Sequence, residues 1–241
     1  MIRIPILRSG SNEAFPDIAA ALAEPNGLLA AGGDLSPVRL LEAYRHGIFP
    51  WYSHDEPILW WSPDPRMVFH TDRIHVSSKL RRFLRASDWT IRADRAFDAV
   101  MQACAAPRPK QPTTWITPEM HAAYCRLHEL GHAHSFEVYS GEELVGGIYG
   151  VAVGGMFFGE SMFSASSGGS KVALIALCRT LHEWGFPLID AQVRSEHLVS
   201  LGAVEIPRAQ FARLIEIQAK QPGFPHSWAN RVGEFGAHTL V

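Results

Sequence analysis

Residues 134–164, HSFEVYSGEELVGGIYGVAVGGMFFGESMFS, constrain the fold more than any other stretch. Runs rich in Val, Ile, Tyr and Phe alternate with SGEE and VGG, the short turn signals that reverse a chain between antiparallel neighbours. The spacing predicts a three-stranded antiparallel meander. The links between its strands are too short to hold a helix, so all three strands must sit side by side in one sheet.

The periodicity changes around this meander. HVSSKLRRFLRAS, DRAFDAVMQACAAP and TPEMHAAYCRLHELG read as helices before it. In the third, Thr117 caps, Pro118 takes the first helical position and Gly131 ends the run. After the meander, GGSKVALIALCRTLHEWG reads as a helix, PLIDAQV as a strand and SEHLVSLG as a short helix. Consecutive strands followed by a helix and a further strand predict an α+β fold with a mixed sheet. The first part of the chain has a different texture: loops rich in Pro and Gly around one helix, LSPVRLLEAYRHG, with Ser36 as cap, Pro37 behind it and Gly47 as stop. Pro63 and Pro65 then punctuate a turn. Residues 1–62 are read as a small N-terminal domain and 63–241 as the larger one.

Composition narrows the class. With 47% hydrophobic and 19% charged residues, the chain can bury an ordinary core and is not disordered. Cys104, Cys125 and Cys178 are too scattered for a disulfide framework or a cysteine metal set, which fits a reducing compartment. The apolar run at the start is too short for a secretion signal, and no stretch approaches the ~20 apolar residues of a membrane helix. A soluble, cytoplasmic, monomeric protein without membrane contact is expected.

The meander's last strand carries an anomaly. In FFGESMFS a carboxylate, Glu160, stands among phenylalanines and a methionine. Strict alternation would put Met156, Phe158, Glu160, Met162 and Ser164 on one face, and Leu188, Asp190 and Gln192 on one face of the later strand. If those strands are neighbours, two acids and an amide converge on an apolar cleft. Buried carboxylates are paired, neutralised or functional. A structural reading, in which Glu160 caps nearby backbone and Asp190 bonds the following helix, competes on even terms.

Three other features bear on chemistry. HELGH, from His128 to His132, matches a zinc-protease pattern. Gly131 as a helix stop would carry His132 off the ligand face, and no third ligand stands nearby, so no metal is expected. SASSGGSK opens a helix with small residues and could hold an anion such as a coenzyme A pyrophosphate, or could simply be a cap turn with Ser170 as cap. From Arg66 to Arg95 eight cations face three acids, a local charge of +5 in a chain of net charge −2. Lys79, Arg82 and Arg85 share one helical face with Arg81 beside them, as either a solvated surface or a contact for phosphates. Trp51, Trp60, Trp61 and Trp115 lie near Pro or Gly, where a ring packs in the core or stacks a base.

These pieces, in order, resemble one family. EPNGLLAAGGDLSPVRLLEAYRHGIFPWY, PILWWSPDPR, TWIT, AYCRLHELGHAHS, ELVGGIYGVAVG, FFGESMFS, SKVAL, LIDAQV and HLVSLGAVEIPRAQF run from Glu24 to Phe211 as they do in the leucyl/phenylalanyl-tRNA–protein transferases. The chain departs from the family pattern at ASSGGSK, where a basic residue is usual, and at Ala191, where a cysteine is common. The resemblance implies an N-acetyltransferase-like (GNAT-like) catalytic domain at 63–241. It also implies transfer of Leu or Phe, and less readily Met, from aminoacyl-tRNA to proteins with N-terminal Arg or Lys, which marks them for N-end-rule degradation. It needs no cofactor. It places Asp190, Gln192 and Glu160 at the reaction centre and Trp51 and Trp115 beside the terminal adenosine. An apolar pocket for the Leu or Phe side chain would include Met162, Phe158 and Ile148, and Lys79, Arg81, Arg82 and Arg85 would hold tRNA. The remaining alternatives are an acetyl-coenzyme A acyltransferase, a tRNA- or peptide-binding module and a zinc peptidase.

Overall fold

The computed structural model describes residues 4–11, 13–107 and 114–241. Its first part is a small sheet of β1 (Ile6–Leu7), β2 (Leu28–Gly32), β3 (Phe49–Pro50) and β4 (Leu59–Trp61), in the order β1-β2-β4-β3. Helix α1 (Pro37–Arg45) runs beside it, with the Ser36 side chain accepting from the Arg39 N–H and Pro37 in the first turn, as its sequence predicts.

The second part is built on an eight-stranded sheet. In chain order it comprises β5 (Arg66–His70), α2 (Ser78–Ala86), β6 (Thr90–Ala93), α3 (Phe97–Ala105), α4 (Pro118–Glu129), β7 (Ala133–Ser140), β8 (Glu143–Val153) and β9 (Met156–Ser164). There follow α5 (Gly169–Glu183), β10 (Leu188–Gln192), α6 (Glu196–Ser200), β11 (Val204–Ile206), α7 (Arg208–Gln218), α8 (Ala229–Val232) and β12 (Glu234–Gly236). The spatial order is β11-β5-β10-β9-β8-β7-β6-β12. The meander β7-β8-β9 forms as predicted, and β9 and β10 make the parallel pair of an otherwise antiparallel sheet. A mixed α+β architecture with a small N-terminal sheet is therefore correct.

Helix α4 starts at the Thr117 cap, and Gly131, at φ +78°, turns the chain into β7. A Cβ there would lie 2.5 Å from the His226 backbone nitrogen, so both conformation and space require glycine. The turn carries His132 away from the helical face of His128, whose ring stacks on Phe97 at 4.3 Å. The two histidines do not form a ligand pair. Helix α5 differs from expectation in one detail: Gly168, at φ +96°, is its cap, and Ser170 lies inside the first turn.

Both faces of the large sheet are buried. On one side β8 and β9 pack against α5 through Ile148, Phe157, Leu174 and Leu177. On the other, Tyr149, Val151 and Phe158 share a core with Tyr44 of α1, Trp60 of β4, Tyr124 of α4 and Phe211 of α7. The small sheet and the large one are thus joined by a common apolar cluster. Among the described residues no helix is long and apolar enough to cross a membrane.

Candidate active site

Two irregularities in adjacent strands build the site. Along β8–β9, Val151 faces Phe158 and Gly150 faces Gly159, but Tyr149 then faces Ser161. Glu160 is the extra residue of a β-bulge. Along β10–β5, Asp190 faces Val68 and Gln192 faces Met67, leaving Ala191 as a second extra residue. Gln192 takes φ +62°, a conformation uncommon outside glycine that recurs at functional sites. β9 and β10 pair only at Phe157–Ile189 and Phe158–Asp190 and diverge beyond. Bulges bend a strand and re-aim its side chains, and here both sit where the pair opens. Gly150 permits the tight approach, because a Cβ at that position would lie 2.1 Å from the Phe158 carbonyl oxygen.

The bulge corrects the expected alternation. Phe158 precedes it and stays on the Tyr44 side, 0% exposed with ring centroids 5.0 Å apart. Met162 follows it and faces α5 beside Ile148. A cavity of about 430 Å³ opens between the diverging strands, walled by Phe69, Ile148, Met162, Leu174, Ile189 and Leu198. Glu160, Gln192, Ser161, Ser170 and His197 reach its edge. Phe158 does not line it. Contrary to the expectation from alternation, Phe158 is no part of this pocket, since the extra residue at 160 puts it on the face opposite Met162.

Glu160 is half-buried and held from three directions. Tyr44 Oη donates to its Oε1 at 2.8 Å, Gln192 Nε2 donates to the same oxygen at 2.8 Å, and Tyr124 Oη donates to Oε2 at 3.2 Å. The two tyrosine hydroxyls also touch each other, and since each carries one proton, a bond between them would take the place of one donated to Glu160. Burial raises the Glu160 carboxyl to about 7, against the hydrogen bonds that pull it down. Burial and the neighbouring carboxylate push both tyrosines well above their ordinary range, so they act as donors.

Asp190 lies beneath, 0% exposed. Arg66 donates to it twice, Nε to Oδ1 at 2.8 Å and Nη2 to Oδ2 at 2.6 Å. The backbone N–H of Gln192 adds a bond to Oδ1 at 2.9 Å. The Arg66 guanidinium is sandwiched between the rings of Phe49 and Phe211, at 4.8 and 4.7 Å. Both of its oxygens are engaged, and it forms part of the cavity floor between Ile189 and Gln192. Through the Gln192 N–H it also bonds the residue whose backbone takes the positive φ.

Sequence reasoning did not find Tyr44, Tyr124 or Arg66. Each left a weak trace. Tyr44 and Tyr124 sit four residues after Leu40 and Met120 on apolar helix faces, where a buried hydroxyl requires a partner. Arg66 opens an apolar strand, RMVFH, in which a buried cation must be neutralised.

The remaining predicted residues do not line the cavity. Trp51, 45% exposed, tilts against Trp61 with centroids 5.9 Å apart, and Trp115 is half-buried against the cluster that holds Tyr44, Trp60 and Tyr124. Lys79, Arg81, Arg82 and Arg85 are all exposed on α2, and none makes an ion pair among the described residues. In the SASSGGSK loop, Ser164 Oγ accepts from the Ser170 N–H at 2.8 Å and Ser166 O from the Gly169 N–H at 3.0 Å. Two of the amides that would face an anion are thereby occupied.

Residues 68–216 match the family described as leucyl/phenylalanyl-tRNA protein transferase, and residues 33–64 match the N-terminal domain of the same family. A leucyl/phenylalanyl-tRNA–protein transferase of Xanthomonas axonopodis pv. citri (strain 306) is 62% identical over 94% of this chain and 91% of its own length. One from Xanthomonas euvesicatoria pv. vesicatoria (strain 85-10) is 61% identical over 99% and 96%. Among solved structures, a functionally unknown conserved protein from Staphylococcus epidermidis ATCC 12228 aligns with a TM-score of 0.40 and 10% identity, covering 75% of this chain and 68% of that one.

Proposed function

The chain belongs to the leucyl/phenylalanyl-tRNA–protein transferase family, a family of aminoacyltransferases, and on that premise we propose how its cavity serves the transfer of leucine or phenylalanine, and less readily methionine, from tRNA to a protein's N-terminal Arg or Lys. The new N-terminus marks the acceptor for N-end-rule degradation. Residues 63–241 act as a GNAT-like acyltransferase domain and need no cofactor.

The observation that carries this reading is an apolar cavity whose rim presents one carboxylate and one carboxamide already bonded to each other. The walls of Ile148, Met162, Leu174 and Leu198 take the Leu or Phe side chain, and Met adapts to either shape. The donor is an ester at the ribose oxygen. The nucleophile is an α-amine whose pKa is ~7.7–8.0, so a substantial fraction is free base near neutrality. Positioning then supplies much of the acceleration. Gln192 gives an amide proton to Glu160, which leaves its carbonyl oxygen to accept from the incoming amine and aim its lone pair at the ester carbon. A C–N bond forms, the bond to the ribose oxygen breaks, and the proton lost by nitrogen ends on that oxygen. Glu160 holds a substrate cation, either the donor's ammonium or the acceptor's basic side chain. Asp190 and Arg66 act as positioning residues for Gln192. Trp51 and Trp115 stack the terminal adenosine, and α2 holds tRNA phosphates.

One assay tests the whole reading. The protein is incubated with leucyl-tRNA and a peptide beginning with Arg. The product should gain the mass of one leucine, and deacylated tRNA should appear in equal amount. An unmodified peptide alongside intact leucyl-tRNA would refute it.

A further inference from the structure

A group of side chains away from the cavity has the chemistry of a metal site. Asp98, in the first turn of α3, meets His121 and Cys125, one turn apart on α4. Asp98 Oδ1 lies 3.0 Å from His121 Nε2 and 3.8 Å from Cys125 Sγ, and all three ligand atoms lie within 4.8 Å of one another. The contact between Asp98 and His121 is not a hydrogen bond. His121 Nε2 is buried and lacks any partner of hydrogen-bonding geometry. Cys125 Sγ lies within bonding reach of Asp98 Oδ1 and 3.9 Å from the other ring nitrogen, His121 Nδ1, so the three side chains already converge on one another. A tetrahedral zinc ion with ordinary bond lengths implies oxygen–nitrogen and oxygen–sulfur edges of about 3.3 and 3.6 Å. The two separations from Asp98 Oδ1 fall within a few tenths of an ångström of these, and the nitrogen–sulfur edge, within 4.8 Å in the empty site, would close to about 3.6 Å on binding.

We propose that Asp98, His121 and Cys125 bind a zinc ion that staples α3 to α4, with solvent at the fourth position. A thiol and an imidazole select zinc or its relatives over magnesium or calcium, which prefer oxygen alone. Asp98 is exposed, so an ion can enter without unfolding the helices. Binding replaces the thiol proton: the S–H bond breaks, an S–Zn bond forms and one proton leaves to solvent. Tyr124, beside Cys125 on the same helix, donates to Glu160, so the staple would stiffen one of the supports of the cavity.

The test uses the reduced full-length chain, with Co²⁺ as a spectroscopic probe and Zn²⁺ as competitor. The expected result is one cobalt per chain with a thiolate-to-cobalt charge-transfer band, displaced by zinc, and about one proton released per ion by calorimetry in two buffers. Cys125→Ser should abolish the band. Asp98→Asn and His121→Ala should each weaken zinc binding at least tenfold, while His132→Ala, in the HELGH segment, leaves it unchanged. Absence of the charge-transfer band in the wild-type chain would overturn the proposal. So would a band that survives Cys125→Ser in a variant whose circular dichroism matches wild type.

Discussion

Arg66 and Asp190 stand 124 positions apart in sequence yet form a bidentate, fully buried pair, and their geometry changes what each can do. A desolvated carboxylate stripped of its partner is strongly destabilising, by about 3–5 kcal/mol. Arg66→Leu should therefore lower the unfolding free energy measured by urea titration by that much, moving the midpoint down, and Arg66→Leu/Asp190→Leu should recover part of the loss. An unchanged midpoint in the single variant would show that the pair contributes nothing to stability. Glu160 poses a different question, since it must carry charge to hold a cation. Its carboxyl is raised to about 7, so it is largely neutral below that pH. Transfer should fall roughly tenfold per pH unit below 7 beyond the loss from protonation of the amine, whose own limb lies near 8. Glu160→Gln should show only the amine limb, at a lower rate, and identical profiles would remove Glu160 from substrate binding. Stability moves in the opposite sense. A carboxyl raised on folding stabilises the native state most fully below about 4.5 and loses that contribution as pH rises through about 7. Thermal melts of wild type against Glu160→Gln should separate progressively in favour of the variant over that window.

At the scale of elements, helices and the meander were legible because their signals are local. Ser36 with Pro37, and Thr117 with Pro118 and Gly131, mark helix ends through caps and fixed dihedrals within one turn of chain. The convergence of Glu160, Asp190 and Gln192 was legible too, since acids in apolar strands need an explanation wherever the strands lie. The bulges were not. Nothing in FFGESMFS announces that residue 160 is the extra one, because the bulge depends on what β8 offers opposite, and one inserted residue exchanges the faces of everything after it. Phe158 was misplaced for that reason alone. Helix α2 is a case where charge was readable and purpose was not. Its four exposed cations carry no ion pairs among the described residues, which leaves them free for phosphates. Reversing Arg82 and Arg85 to Glu should weaken tRNA binding and flatten its dependence on salt by up to ~1.8 in the log–log slope, at ~0.7–0.9 per lost phosphate contact. Peptide acceptor affinity should not change. A slope equal to wild type would mean the helix is merely solvated.

At the scale of the whole molecule, the N-terminal sheet is bound into the site. Tyr44, from α1 between β2 and β3, donates to Glu160 on β9, and Ile48, Phe49 and Trp60 share one buried cluster with Tyr124, Tyr149, Phe158 and Phe211. Phe49 also forms half of the aromatic sandwich around Arg66. Removing residues 1–62 would therefore uncover the Phe158 face of the large sheet, take one of three donors from Glu160 and open the buried Arg66–Asp190 pair to water on one side. Large aromatic groups left without packing typically cost several kcal/mol each, comparable to the entire stability of an ordinary domain. The full chain should thus unfold in a single transition, with tryptophan fluorescence and far-ultraviolet circular dichroism falling together, and the fragment 63–241 should show no cooperative melt. A fragment that melts sharply, or two separated transitions in the intact chain, would mean that the shared cluster is a contact between independent units and that Tyr44 could leave the site without unfolding it.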